Sequence, residues 1–348
     1  MHKNNIRRGL QLLLAAGLCL GTLTSTGAAD SPGLLAEEGP VRPAVAPAEE
    51  TSGQSAVQAG EEAAEAEIAA RQSRAAALLA RQALSPEQRT ALAARMGTDA
   101  VLLQKLEQSE LSRSELLWLS LPNAHADRLD RYDAWAAAHP DDTRENAVFQ
   151  VNMNRDQDFF SLIWETADPA SLTVLVNKHY ILPAGYVPEL EALGRGYGSG
   201  SLRPEAAQAF RAMADGARAD GVALRSVSAY RSYQTQKSTY NRYLRQYRQA
   251  VVDTFSARPG HSEHQTGLGL DINVASSRAH FENTPAFAWL KEHCAEYGFI
   301  LRYDQGKEDI TGYRFEPWHY RYVGVETAKA VMEQDLCYEE YLALQPVQ

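Results

Sequence analysis

The stretch Ser262-Glu-His-Gln-Thr-Gly-Leu-Gly-Leu-Asp271, continued by Ile272 and Asn273, decides how this chain is read. Leu268, Leu270 and Ile272 fall on every second position, the pattern of a half-buried strand over 267–274. Asp271 must then face the opposite side, together with Gly267 and Gly269. Glycines beside a carboxylate are expected to leave open space there, as a cleft or a bound metal requires. His264 lies just ahead, on a loop opening at Pro259-Gly260 that can fold it back towards Asp271. A single His and Asp would be explained as well by capping or packing. A second stretch, Glu316-Pro-Trp-His319, changes that balance. Residues three apart on an ideal strand face opposite sides, so Glu316 and His319 serve one site only if the chain kinks. Pro317 supplies the kink or confines the segment to a sheet edge.

Two histidines and one aspartate fill three positions around one zinc ion and leave the fourth open, the arrangement of catalytic rather than structural zinc sites. Neutral imidazoles and a carboxylate suit Zn²⁺. Glu316, three residues before His319, is placed to act as the base for a water. His261 and His280 are rival ligands by residue type. His261, adjacent to the motif, is expected behind the site or facing solvent. Ser262 is not accompanied by a separate base, so it does not read as a nucleophile.

Working outward, the segment from about residue 171 mixes strands and helices. Leu202–Gly216 reads as a helix with Ala206, Phe210 and Met213 on one face. Val222–Ser228 alternates as a strand, and a tyrosine-rich helix follows Arg231. Its tyrosines read as half-buried packing. A helix is expected over Pro285–Tyr297, strands over Phe299–Tyr303 and Tyr313–Val323, and a last helix over about Glu326–Glu333. The class is α+β: a small, mainly antiparallel sheet with flanking helices, preceded by a helical accessory segment. In that segment, 68–165, Ser85-Pro-Glu-Gln88 and Ser112-Arg-Ser-Glu115 are capping boxes. No constellation of chemical groups accompanies them, so the segment reads as a spacer.

Residues 30–67 are rich in Ala, Glu, Pro, Gly and Ser, which predicts a flexible linker. Residues 1–29 read as an export signal: Lys3, Arg7 and Arg8, then an apolar run from Leu10 to Leu23, then small residues. The run is shorter than the ~20 residues of a typical spanning helix, although an uncleaved membrane anchor stays open. The zinc domain is expected over 166–348, in an extracytoplasmic location and as a monomer. At 348 residues with a net charge of −10, the chain lacks the basic clustering that nucleic acid requires. Without the signal two cysteines remain, Cys294 and Cys337, and export favours a disulfide between them over two buried thiols. Such a loop of about 43 residues would contribute roughly 3–4 kcal/mol.

Ser262-x-His264-x-x-Gly267-x-x-x-Asp271 with Glu316-Pro-Trp-His319 resembles the VanY-type D-alanyl-D-alanine carboxypeptidases. Their zinc peptidase group also holds VanX-type dipeptidases, lysostaphin and the hedgehog fold. The likeness runs over roughly Leu175–Leu344 and includes Ser228-Ala-Tyr-Arg231-Ser-Tyr-x-x-Gln236 and Gly306-Lys-Glu-Asp-Ile-Thr-Gly-Tyr-Arg-Phe-Glu316. The resemblance implies zinc ligation by His264, Asp271 and His319, with Glu316 as general base. It implies that Arg231 stabilises the oxyanion, a residue that spacing alone would make a surface ion-pair partner. It also implies that Gln236 and Ser262 bind the terminal carboxylate of a peptidoglycan stem peptide. The rival readings are a D,D-dipeptidase, a stem-peptide endopeptidase, a non-catalytic wall-binding module, or an interaction protein acting through its helical segment.

Overall fold

Ser85 and Ser112 cap helices as their spacing predicts. Each hydroxyl accepts from the backbone N–H three residues on, at 3.2 Å, and Gln88 and Glu115 return the bond to the cap's own N–H. The computed structural model describes residues 51–273 and 280–347, with side chains from 57 onward. Two compact units divide the chain at Pro122/Asn123.

Among the described residues, the first unit holds four helices: α1 (Thr51–Leu79), α2 (Pro86–Thr98), α3 (Ala100–Glu107) and α4 (Arg113–Leu119). Leu79, Leu92, Met96, Leu116 and Trp118 are buried in it. Helix α1 enters the stretch expected as a flexible linker. Its Ala- and Glu-rich composition explains this, since those residues have high helix propensity even when exposed. The proposed linker before residue 51 and the export signal lie outside the described residues. No helix among the described residues is long and apolar enough to cross a membrane.

The second unit begins well before the expected boundary near 165. It opens with α5 (Leu129–Ala138) and α6 (Arg144–Asn152), which contribute Tyr132, Val148, Phe149 and Val151 to buried positions. The Asn152 side-chain amide donates to the carbonyls of Asn123 and Ala343, tying these helices to the chain's last helix. Further on come α7 (Pro204–Ala219), α8 (Tyr233–Leu244), α9 (Pro285–His293), α10 (Val325–Glu333) and α11 (Tyr338–Leu344).

At the centre of this unit lies a four-stranded antiparallel sheet. Its strands are β1 (Arg225–Ser228), β2 (Gly269–Asn273), β3 (Phe299–Leu301) and β4 (His319–Tyr322), in the order β1-β2-β4-β3. The class is α+β, as the alternation of elements implies. Leu268, Leu270, Ile272 and Tyr320 line one face of the sheet. They pack with Ala206, Phe210 and Met213 of α7 and Phe287 and Leu290 of α9. That apolar face fixes the register, because a one-residue slip would turn it to the solvent side. On the far side of β3 and β4, Ile300, Val323, Ala328, Val331 and Tyr338 seat α10 and α11.

Two expectations fail here. The strand expected over Tyr313–Val323 is only His319–Tyr322. The preceding residues form a helical turn at Glu308–Thr311, a left-handed Gly312 (φ 74°) and an irregular approach to Pro317. Cys294 and Cys337 are free, buried thiols. Cys294 is absorbed in the apolar core, whereas Cys337 starts α11 with its N–H donating to Glu340 Oε2, so each is fixed by its own packing.

Candidate metal centre

The sheet register builds the site. Asp271 on β2 lies opposite His319 on β4 and opposite Ser228 on β1, so three strands contribute to one row. A bulge between Ser226 and Ser228 brings Ser228 into that row. The parity argument for Asp271 therefore matches what is found, with Leu270 and Ile272 fully buried on the other face. The kink also exists: residues 317–318 form a turn and His319 N–H donates to Glu316 O at 3.1 Å. It does not lie at an edge, because β4 sits inside the sheet.

His264 arrives on a 3₁₀ turn, Glu263–Thr266, which ends in a left-handed Gly267 (φ 70°). The glycines do not open space beside Asp271, as the sequence suggests. A Cβ on Gly269 would meet the Glu263 backbone at 3.2–3.3 Å, so this glycine lets the turn carrying His264 lie directly on the strand.

His264, Asp271 and His319 each present a donor atom, all within 4.8 Å of one another. His264 Nε2 and His319 Nδ1 both approach Asp271 Oδ1, at 3.4 and 3.2 Å. Their outward nitrogens meet acceptors: His264 Nδ1 donates to Ala229 O at 2.7 Å, and His319 Nε2 faces Glu263 Oε2 at 3.4 Å. Each imidazole thus aims one nitrogen at the centre and the other at an oxygen acceptor, the orientation that metal-binding histidines need once a metal replaces the proton shared with Asp271. This donor set fits a single zinc ion. His261 and His280 are not brought to it. His261 is buried, neither facing solvent nor touching the centre, with Nδ1 against Asn177 O at 2.7 Å, and His280 is exposed.

Sequence reasoning missed Glu263. Its carboxylate is buried and accepts from Arg302 Nε at 2.8 Å and Arg321 Nη1 at 3.3 Å, while Arg302 also makes two bonds to Glu339 of α11. Burial opposes the charge on Glu263, but Arg302, Arg321 and His319 outweigh it and hold the carboxyl well below the usual carboxylate range. For His319 burial again opposes the charge, and the carboxylates of Asp271 and Glu263 raise it to about 9. Tyr303 packs its ring 5.0 Å from that of His319.

Glu316 is 8% exposed and lines the same cleft as the three donor residues. Burial pushes its carboxyl up to about 7, while the neighbouring His319 pulls it down and Asp271 adds to the rise. Arg231 lies 3.8 Å from Asp271 Oδ2. Its guanidinium donates to Gln236 Oε1 and Ser228 Oγ, each at 2.8 Å, and its backbone N–H donates to His264 O. Gln236 is buried, and its amide also donates to Ala257 O, so in this structure it braces Arg231. Ser262 borders the cleft and its hydroxyl makes no capping bond to the following turn.

The chain is similar to known proteins. The family model described as D-alanyl-D-alanine carboxypeptidase, VanY, matches residues 199–325. YodJ of Bacillus subtilis (strain 168) is 40% identical over 187 residues, spanning 50% of this chain and 68% of YodJ. A D-alanyl-D-alanine carboxypeptidase of Enterococcus faecalis (strain ATCC 700802 / V583) is 38% identical over 178 residues, 49% of this chain and 65% of that protein. A solved point mutant of the D,D-pentapeptidase VanY from the VanB-type resistance cassette, in complex with Zn(II), is 36% identical. It covers 50% of this chain and 99% of its own, with a TM-score of 0.44. The chain belongs to the VanY family of D-alanyl-D-alanine carboxypeptidases.

Proposed function

We propose that this protein is a zinc D,D-carboxypeptidase that removes the terminal D-alanine from peptidoglycan stem peptides ending in D-Ala-D-Ala. The observation that carries the reading is the meeting, in one cleft, of the His264–Asp271–His319 donor set with Glu316 and Arg231. Zinc held there supplies Lewis-acid chemistry, polarising a peptide carbonyl and bringing the pKa of a water towards about 7. Glu316 accepts a proton on its carboxylate and returns it to the leaving amine. A carboxyl that titrates near neutrality is suited to both tasks. Arg231, fixed by Ser228 and Gln236, supplies preorganised positive charge for the oxyanion. Ser262, at the cleft wall, is a hydrogen-bonding group for the terminal carboxylate, with Gln236 acting there through Arg231. The cleft of about 490 Å³ falls in the range of pockets that hold drug-sized ligands, so it has room for a peptide longer than a dipeptide. The basic and apolar N-terminal segment supports action outside the cytoplasmic membrane, where this polymer lies.

Zinc-loaded protein is expected to release one D-alanine from a stem pentapeptide, to act more slowly on free D-Ala-D-Ala, and to stop when a chelator is added. Mass spectrometry of the products reads all three. Glu316→Ala should lower turnover by about 10²–10⁴. Wild-type rates in that variant would remove Glu316 from the mechanism.

A further inference from the structure

We propose that Arg242 and Arg314 form a subsite for a second carboxylate of the substrate, away from the scissile bond. This rests on the stem-peptide reading and extends it. Both arginines line the cleft that holds Glu316 and His319. They belong to one continuous wall. The Arg242 guanidinium carbon lies 5.4 Å from the ring centre of Tyr243. The Tyr243 and Phe255 rings meet edge-on at 5.0 Å, and the Arg314 guanidinium carbon lies 4.6 Å from the centre of Phe255. The Arg314 backbone N–H donates to Thr254 O at 3.0 Å, fixing this strip of chain beside Phe255.

Among the arginines of the cleft, Arg231 faces Asp271 at 3.8 Å, whereas Arg242 and Arg314 pair with no acid among the described residues. Elsewhere in the chain many arginines are held by carboxylates. Arg131, Arg155, Arg203, Arg211, Arg218, Arg258, Arg302 and Arg321 all contact a carboxylate at 3.3 Å or less. Arg242 and Arg314 make no ion pair and no side-chain hydrogen bond with any described residue. A guanidinium beside an aromatic ring keeps its donor edge available, and that planar fork matches a carboxylate with two parallel hydrogen bonds. The wall therefore selects an anionic, planar group on the peptide.

In a stem peptide such a group has two sources. One is the side-chain carboxylate of diaminopimelate, which a lysine at the same position lacks. The other is the free α-carboxylate of the γ-linked D-glutamate, which amidation to isoglutamine removes. Four pentapeptides, combining lysine or diaminopimelate with D-glutamate or D-isoglutamine, separate them. Binding to zinc-loaded Glu316→Gln, which holds peptide without turning it over, reads the subsite independently of catalysis. Hydrolysis by the wild type is followed in parallel.

Removing the recognised carboxylate should weaken binding roughly tenfold, the lower end for a charge-assisted contact near solvent. The loss should appear in KM rather than kcat, as for a contact made equally in ground and transition states. Arg242→Gln or Arg314→Gln in that background should erase the difference between the peptides. Discrimination by the third residue identifies the diaminopimelate carboxylate, and discrimination by amidation identifies the glutamate carboxylate. Equal affinity for all four peptides overturns the proposal, as does an equal loss in the arginine variants for the peptide lacking both groups. Failure of the wild type to hydrolyse any of them, with discrimination in binding intact, would refute the carboxypeptidase reading and leave the subsite standing.

Discussion

The Glu263 carboxylate meets three cation-forming groups at once, Arg302, Arg321 and the outer nitrogen of His319, and so links the metal centre to the buried charge network below it. Glu263→Gln should weaken zinc binding by about 10–100-fold, because His319 loses the acceptor that fixes its tautomer. It should also destabilise the fold by roughly 3–5 kcal/mol, since two buried guanidinia lose their shared carboxylate. Competition with a chromophoric chelator and urea unfolding measure the two effects separately; unchanged zinc affinity would show that Glu263 does not orient His319. His261 gives a pH prediction. Burial lowers it from 6.5 to about 4, although the Asn177 carbonyl partly offsets the effect. The unfolded chain takes up that proton first, so the contribution is fully present above pH 6.5 and is lost as pH falls towards 4. It amounts to at most about 3 kcal/mol. Denaturation at pH 7 and pH 4.5 should show a smaller loss in His261→Gln than in the wild type. Asp271 and His319 were legible because strand parity and a proline-broken motif act over a few residues. Glu263 was not, because its partners Arg302 and Arg321 lie 39 and 58 residues away.

Among the elements, β2 and the 3₁₀ turn before it act as one piece, joined where Gly269 lets the Glu263 backbone rest on the strand. The obstruction to a methyl group there is largely main chain, which cannot swing aside as a side-chain tip can. Gly269→Ala should therefore cost about 1–3 kcal/mol and weaken zinc binding by displacing His264. Thermal unfolding with and without zinc tests this: a loss confined to the metal-free form would contradict the packing argument. Helices were the more legible elements. The one expected over Leu202–Gly216 is Pro204–Ala219, and the one over Pro285–Tyr297 is Pro285–His293 followed by a 3₁₀ turn. Their period and caps lie within the segment itself. The strand expected over Tyr313–Val323 shrank to its last part because aromatic residues that favour strands here line a cleft. Tyr313 and Glu316 face that space, and among the described residues no strand pairs with them beyond the single bond from Glu316 N–H to Tyr303 O.

For the molecule as a whole, the boundary between the two units matters more than the one composition suggests. All the site residues lie after Asn123, as do α5 and α6; Arg128 just before α5 and Asn154 just after α6 donate to the Tyr180 hydroxyl, and Arg131 within α5 pairs with Asp156. A protein beginning at Asn123 should fold and bind zinc with the affinity of the full chain. One beginning at residue 166 should lose α5 and α6, expose the surface they cover and unfold at lower temperature or aggregate. Calorimetry of both truncations distinguishes this from the spacer reading, in which the two would behave alike. Composition could not place that boundary, because α5 and α6 resemble the preceding helices in content and differ in what they pack against. The row formed by Ser228, Asp271 and His319 has a temporal consequence as well. Asp271 and His319 are 48 residues apart and meet only when β2 and β4 are in register. An unfolded chain therefore offers zinc only a weak His264–Asp271 pair, and loading must wait for the sheet to close. Metal uptake becomes a clock for the last stage of folding, and a chain stalled short of that stage stays inert towards any peptide it meets.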